Sequence, residues 1–113
     1  MKHLTRVRQA RKHHSLTQDE LAHLLGIYQG NISRLESGET PPDLETAFSL
    51  QVIFGRSLHD LFPTLYDNIE DAVMRRAATL DRRLSERPTL NAAAKRRLLK
   101  GMVLRAQANH HEL

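Results

Sequence analysis

Residues 16–38 read LTQDELAHLLGIYQGNISRLESG, and this stretch decides the fold. Its apolar residues recur at helical spacing in two short blocks. Leu21, Ala22 and Leu25 mark the inward side of the first block, and Ile32 and Leu35 that of the second. Gly26 stands between them and suits the left-handed residue that ends a helix. Thr17 and Glu20 have the spacing of a capping box: the threonine oxygen takes a free amide, and the glutamate reaches back to the threonine amide. Gln29, Asn31, Ser33 and Arg34 are left to face outward from the second block. Gly38 ends it.

Working outward, no alternating β-branched run and no hairpin dipeptide occurs, whereas helical spacing continues in both directions. Towards the N-terminus a helix is expected from about Lys2 to His13, with Leu4, Val7 and Ala10 along one side. The second block itself should run from about Gln29 to Ser37. Beyond it, Pro41 and Pro42 enforce a turn, and Asp43 is placed to cap a helix over residues 44–54 that ends at Gly55. Ser57 and Asp60 repeat the capping-box spacing and open a short helix through Phe62, which Pro63 is expected to close. Five short helices with brief connections make a compact all-α domain of residues 1–63.

The rest of the chain has a different texture. Residues 67–86 form one long helical segment with a stripe of Ile69, Val73, Ala77, Leu80 and Leu84. Arg87, Pro88 and Thr89 interrupt it. A second segment follows from Asn91 to about Asn109, with Leu98, Leu99, Met102, Val103 and Ala106 on one side. Residues 64–113 therefore read as a C-terminal helical hairpin. Its apolar face needs a cover: a second copy, a partner protein or the first domain, where Phe48, Val52 and Phe54 are candidate docking points.

Charge is unevenly distributed. The 113 residues carry a formal net charge of +4 and no cysteine. Residues 1–63 hold seven Lys/Arg and seven Asp/Glu, and residues 64–113 hold ten and six. Lys2, Arg6, Arg8, Arg11 and Lys12 all precede the first acidic residue, so the first helix is a local basic element suited to phosphates. In the hairpin, Arg75, Arg76, Arg82, Arg83, Lys95, Arg96, Arg97 and Lys100 either touch a nucleic acid or are simply solvated. Without cysteine, neither disulfides nor thiolate metal sites can hold the fold. No apolar run approaches the roughly 20 residues of a membrane span, and the first fifteen residues are too polar for a signal peptide. The expected location is cytoplasmic.

Seven histidines raise the question of a metal. The pairs His13-His14 and His110-His111 are adjacent, so their rings point apart on a helix, and neither has the i, i+4 spacing of a helical zinc site. No nucleophile–base arrangement and no glycine-rich phosphate loop is visible. The chain is expected to be no enzyme and to need neither metal nor cofactor.

With these residues in view, residues 4–62 resemble the Cro/C1-type helix-turn-helix family, the Xre-like regulators related to phage repressors. The resemblance rests on Leu4, Val7 and Arg11, then on LTQDELA at residues 16–22 and LGI at residues 25–27. It continues through ISRLESG at residues 32–38, Pro42, Leu44, Glu45, Thr46, Gly55, Ser57, Leu58 and Leu61. It implies a five-helix, lambda-repressor-like domain whose third helix reads the major groove of double-stranded DNA. Position by position, it implies that Gln18 grips a backbone phosphate and that Asn31 touches another. It places Tyr28, Gln29, Gly30, Ser33 and Arg34 at the base-reading positions. It pairs Arg11 with Glu36 as a structural ion pair, expected to be exposed and so worth about 0–1 kcal/mol, its value being orientation.

The sequence departs from the family at three places. Tyr28 stands where a small capping residue is usual, so the third helix loses a cap. Gly30 has no side chain with which to read, and it lets the backbone approach the DNA closely. The loop of residues 39–43 is not basic, which puts phosphate contacts there in doubt. The expected function is that of a transcriptional regulator, a repressor acting as a homodimer on a near-palindromic operator, although activation is equally compatible with the sequence. The alternatives are the antitoxin of a toxin–antitoxin pair, binding a partner protein through residues 64–113, and an interaction module that has lost DNA reading.

Overall fold

The computed structural model describes residues 3–111 and is all-helical, with seven helices and no strand among those residues. They are α1 Val7–His13, α2 Gln18–Leu25, α3 Gly30–Ser37, α4 Leu44–Phe54, α5 Leu58–Leu61, α6 Pro63–Glu86 and α7 Ala92–His111. The chain divides into two compact units, the first ending at Asp67 and the second starting at Asn68.

The core of the first unit gathers Val7 and Ala10 of α1, Leu21, Ala22 and Leu25 of α2, and Ile32 and Leu35 of α3. Leu50, Leu61 and Phe62 complete it. Each helix starts or stops where its local chemistry dictates. Thr17 and Glu20 close both halves of the capping box on α2, at 3.0 and 2.9 Å. Asp43 accepts the Thr46 amide at 2.8 Å and starts α4. Ser57 accepts the Asp60 amide at 3.1 Å, but the Asp60 carboxylate turns to Arg56 and Arg6 instead of back to Ser57, so only half of that capping box forms. Gly26, Gly38 and Gly55 end α2, α3 and α4 in the left-handed conformation.

Two boundaries differ from the sequence expectation. Lys2 lies outside the described residues, and the first helix begins at Val7. Residues 3–6 spend their backbone groups on tertiary partners instead of on a helical turn. The His3 amide donates to the Gly38 carbonyl, the Leu4 amide to Thr64 Oγ1 and the Arg6 amide to the Leu61 carbonyl. Pro63 does not merely close α5; it opens α6, where its missing amide and fixed φ fit the first helical turn. The first turn of α6 belongs to the first unit, where Leu65 packs on its core.

In the second unit Glu70 pairs with His110 and Asp81 with Arg96, at 2.7 and 2.8 Å. Rising numbers on α6 meet falling numbers on α7, so the two helices run antiparallel. The Arg96 guanidinium bonded to Asp81 holds that carboxyl below its ordinary 3.8. The buried core here is small: Ala77, Leu84 and Leu99, with Met102 against them. Ile69, Leu80, Leu98 and Leu104 stay exposed.

Gly38 carries two constraints at once. Its φ is +82°, and a Cβ there would sit 1.9 Å from the His3 carbonyl oxygen. Gly38→Ala should therefore lower the unfolding free energy by more than the ~1 kcal/mol of an ordinary glycine exchange. Denaturant titration checks this, and Gly55→Ala is the comparison, since nothing lies within 4 Å of its Cβ position.

Candidate nucleic-acid interface

The outer face of α3 is made by exclusion. Ile32, Leu35 and Glu36 turn inward and are buried. Helical geometry then leaves Gln29, Gly30, Asn31, Ser33 and Arg34 outside, and all five are exposed. The helix begins without a side-chain cap, because Gln29 is already helical and Tyr28 offers no short oxygen. Tyr28 is 77% exposed, and its ring lies over Gly30. A Cβ at Gly30 would meet Tyr28 Cε2 at 2.4 Å. The missing side chain thus makes room for the tyrosine ring and leaves that part of α3 covered by an aromatic face.

One buried ion pair fixes α3 against the rest. Arg11 Nε donates to Glu36 Oε2 at 2.6 Å and Nη2 to Oε1 at 3.3 Å. Arg11 Nη1 donates to the Leu16 carbonyl at 2.8 Å, which also ties down the turn between α1 and α2. The side chains are only 10% and 3% exposed. This corrects the expectation of an exposed, weakly contributing pair: Glu36 faces the crevice between three helices, not solvent. Removing one member leaves a buried charge without its counter-charge, which costs about 3–5 kcal/mol.

Gln18 joins the same network. Its amide nitrogen donates to Glu36 Oε1 at 3.0 Å and lies 3.4 Å from Ser33 Oγ. The Glu36 carboxylate can only accept, so the nitrogen of Gln18 faces it. The donors still open at this end of α2 are the main-chain amides of Gln18 and Asp19, since the Thr17 and Glu20 amides are spent in the capping box. The Thr17 amide bonded to Glu20 holds that carboxyl below its ordinary 4.5.

The residues singled out from the sequence fall into two groups. Gln18, Gln29 and Ser33 line one cleft together with Arg8, Arg11, Thr17 and Glu36. Asn31 and Arg34 line a second groove, beside the loop of Thr40, Pro41, Pro42 and Asp43. The Arg34 side chain is exposed, and among the described residues its guanidinium makes no hydrogen bond or ion pair. Arg8 was not among the candidate site residues, yet it stands at the rim of the first cleft with its guanidinium unpaired among the described residues. Its signal in the sequence was the run of basic residues in the first helix. An exposed helix lined with amide, hydroxyl and guanidinium groups, and tied to α1 by a buried ion pair, has the chemistry of a base-edge reader.

A helix-turn-helix family model matches residues 7–61, the span from α1 to the end of α5. An uncharacterized HTH-type transcriptional regulator of Archaeoglobus fulgidus is 35% identical over 66 residues, 58% of this chain and 91% of that protein. A second, from Methanocaldococcus jannaschii, is 37% identical over 57 residues, 50% of this chain and 83% of the other. The chain belongs to the Cro/C1-type helix-turn-helix family. No solved structure matches it significantly. The family model stops at residue 61, before α6. Among the described residues no helix is long and apolar enough to cross a membrane, and no group of three or more His, Asp or Glu side chains could hold a metal ion.

Glu36→Ala should lower the unfolding free energy by about 3–5 kcal/mol, because it strands the Arg11 charge. Denaturant titration reads this directly. The pair Arg11→Met with Glu36→Leu should recover a large part of the loss, since it removes both charges and fills the space.

Proposed function

We propose that the chain binds duplex DNA sequence-specifically as a homodimer and regulates transcription by occupying a near-palindromic operator. The observation that carries this reading is the outer face of α3: Gln29, Ser33 and Arg34 exposed on a helix whose opposite side is locked through Arg11 and Glu36. Gln29 suits adenine and Arg34 suits guanine, each worth about 1–3 kcal/mol of discrimination. Gln18, Asn31 and Arg8 are the proposed phosphate contacts. Arg8 contributes charge, and the start of α2 contributes free amides.

The hairpin is the proposed dimerisation element. Its buried core is too small to explain the apolar residues it leaves outside, and two hairpins joined as a four-helix bundle would cover them. Two copies of α3 would then meet half-sites about 34–36 Å apart on one face of the duplex. Occupation of a promoter blocks polymerase, which makes repression the simplest output. The chemistry proposed needs neither cofactor nor metal, and the cytoplasm is its proposed location.

Gln29→Ala and Arg34→Ala should each weaken binding to a site selected from random duplexes by about 1–3 kcal/mol while changing binding to random DNA much less. Fluorescence anisotropy on both duplexes distinguishes the two, and equal losses would remove these residues from the reading set. Deletion of residues 68–113, which spares the first turn of α6, should convert a dimer to a monomer by light scattering. A dimer that survives the deletion would place the interface in the first unit.

A further inference from the structure

The outer side of α6 in the second unit carries Arg75, Arg76 and Arg83 around a shallow groove floored by Ala72 and Thr79 and bordered by Leu80. Arg82, seven residues after Arg75, lies on the same side of the helix. None of these four guanidinium groups has a hydrogen-bond or ion-pair partner among the described residues. The described acidic residues of the unit do not pair with them. Glu70 and Asp81 point to α7, where His110 and Arg96 take them. Asp71, four residues before Arg75, forms no ion pair with it, and neither does Glu86, four residues after Arg82.

Ordinary helix electrostatics account for part of this pattern only. Arg83 lies in the last turn of α6, where a cation complements the helix dipole. Arg75 and Arg76 lie mid-helix and gain nothing from it. The two arginine pairs are seven residues apart, which is two turns and about 10.5 Å along the axis. They therefore share a face, yet are separated enough to engage different phosphates. Ala72 and Thr79 keep the floor between them low, so a bulky polyanion can approach. The Thr79 hydroxyl is turned back onto the Arg75 carbonyl. A protein partner would be expected to find an aromatic or large apolar anchor in the centre of such a patch, whereas the exposed Ile69, Val73 and Leu80 lie along one flank of it.

We propose that this arginine face of α6 is a second, sequence-independent binding surface for the phosphate backbone of duplex DNA. The proposal rests on the DNA-binding reading of the first unit. A duplex held by α3 is presented to the tethered second unit at high effective concentration, so a weak phosphate contact suffices to add affinity. Guanidinium forks match phosphate oxygens in pairs and stay charged at any working pH.

The test uses the full-length chain with Arg75→Gln, Arg76→Gln, Arg82→Gln and Arg83→Gln combined, and as the two adjacent pairs separately. Binding is measured on a random-sequence duplex of about 40 base pairs, roughly four helical turns, and on a selected operator, across a salt series. The fall of log K with log[salt] should become shallower by about 2–4 in slope for the fourfold variant and by about 1–2 for each pair. Both duplexes should lose affinity by the same factor, leaving the ratio between them unchanged. The fourfold Arg→Lys variant should restore most of the slope. Unchanged slope and affinity in a Gln variant, with the unaltered chain binding normally, overturns this proposal alone and marks the face as solvated or as the seat of an acidic protein. Failure of the unaltered chain to bind either duplex overturns the DNA reading itself.

Discussion

The Glu36 carboxylate is where three helices of the first unit are tied together. It sits on α3, accepts two donors from Arg11 of α1 and a third from Gln18 at the start of α2. Each acceptor site used in this way reduces the cost of keeping the charge out of water, and the arrangement is stable only while all its members are present. The apolar core sets how closely the helices approach. The carboxylate adds what apolar contacts lack, a direction, because the fork of the guanidinium accepts one orientation of its partner. The outward face of α3 is oriented as a consequence of what its inward face must satisfy.

Much of this was legible in the chain itself. Thr17 with Glu20, Asp43 before a helix, and glycines after three helices are local chemistry, decided by residues within one turn of each other. The same holds for the division of α3 into an inner and an outer side, which follows from 3.6-residue periodicity. What escaped was long-range. The non-helical course of residues 3–6 depends on acceptors at Gly38 and Leu61, and no local pattern announces them. Pro63 was ambiguous by nature, since the residue that cannot continue one helix is well suited to begin another. Burial of the Arg11–Glu36 pair required knowing that α1, α2 and α3 enclose the carboxylate.

The candidate face was legible to a similar degree. The exposed set on α3 could be named from spacing, and the structure then sorts it into two groups that spacing alone does not distinguish. Gln29 and Ser33 share a cleft with Gln18 and Arg8, whereas Asn31 and Arg34 border the proline-containing loop. Gly30 looked like a gap in the face, and it is filled by the Tyr28 ring. The hairpin was visible as two amphipathic segments, but its buried core is narrower than the apolar stripes suggested.

The near absence of structural duties on the outer face of α3 has an evolutionary consequence. Among the described residues Gln29, Asn31 and Arg34 contribute no side-chain bond to the frame, and the contact of Ser33 with Gln18 is long, at 3.4 Å. These four positions can be exchanged with little penalty to folding, whereas Glu36 and Gly38, a few residues along the same chain, cannot. A duplicated copy of such a chain could drift in what it recognises while its scaffold stays under purifying selection. Diversification would then be confined to a handful of codons within a single turn or two of helix.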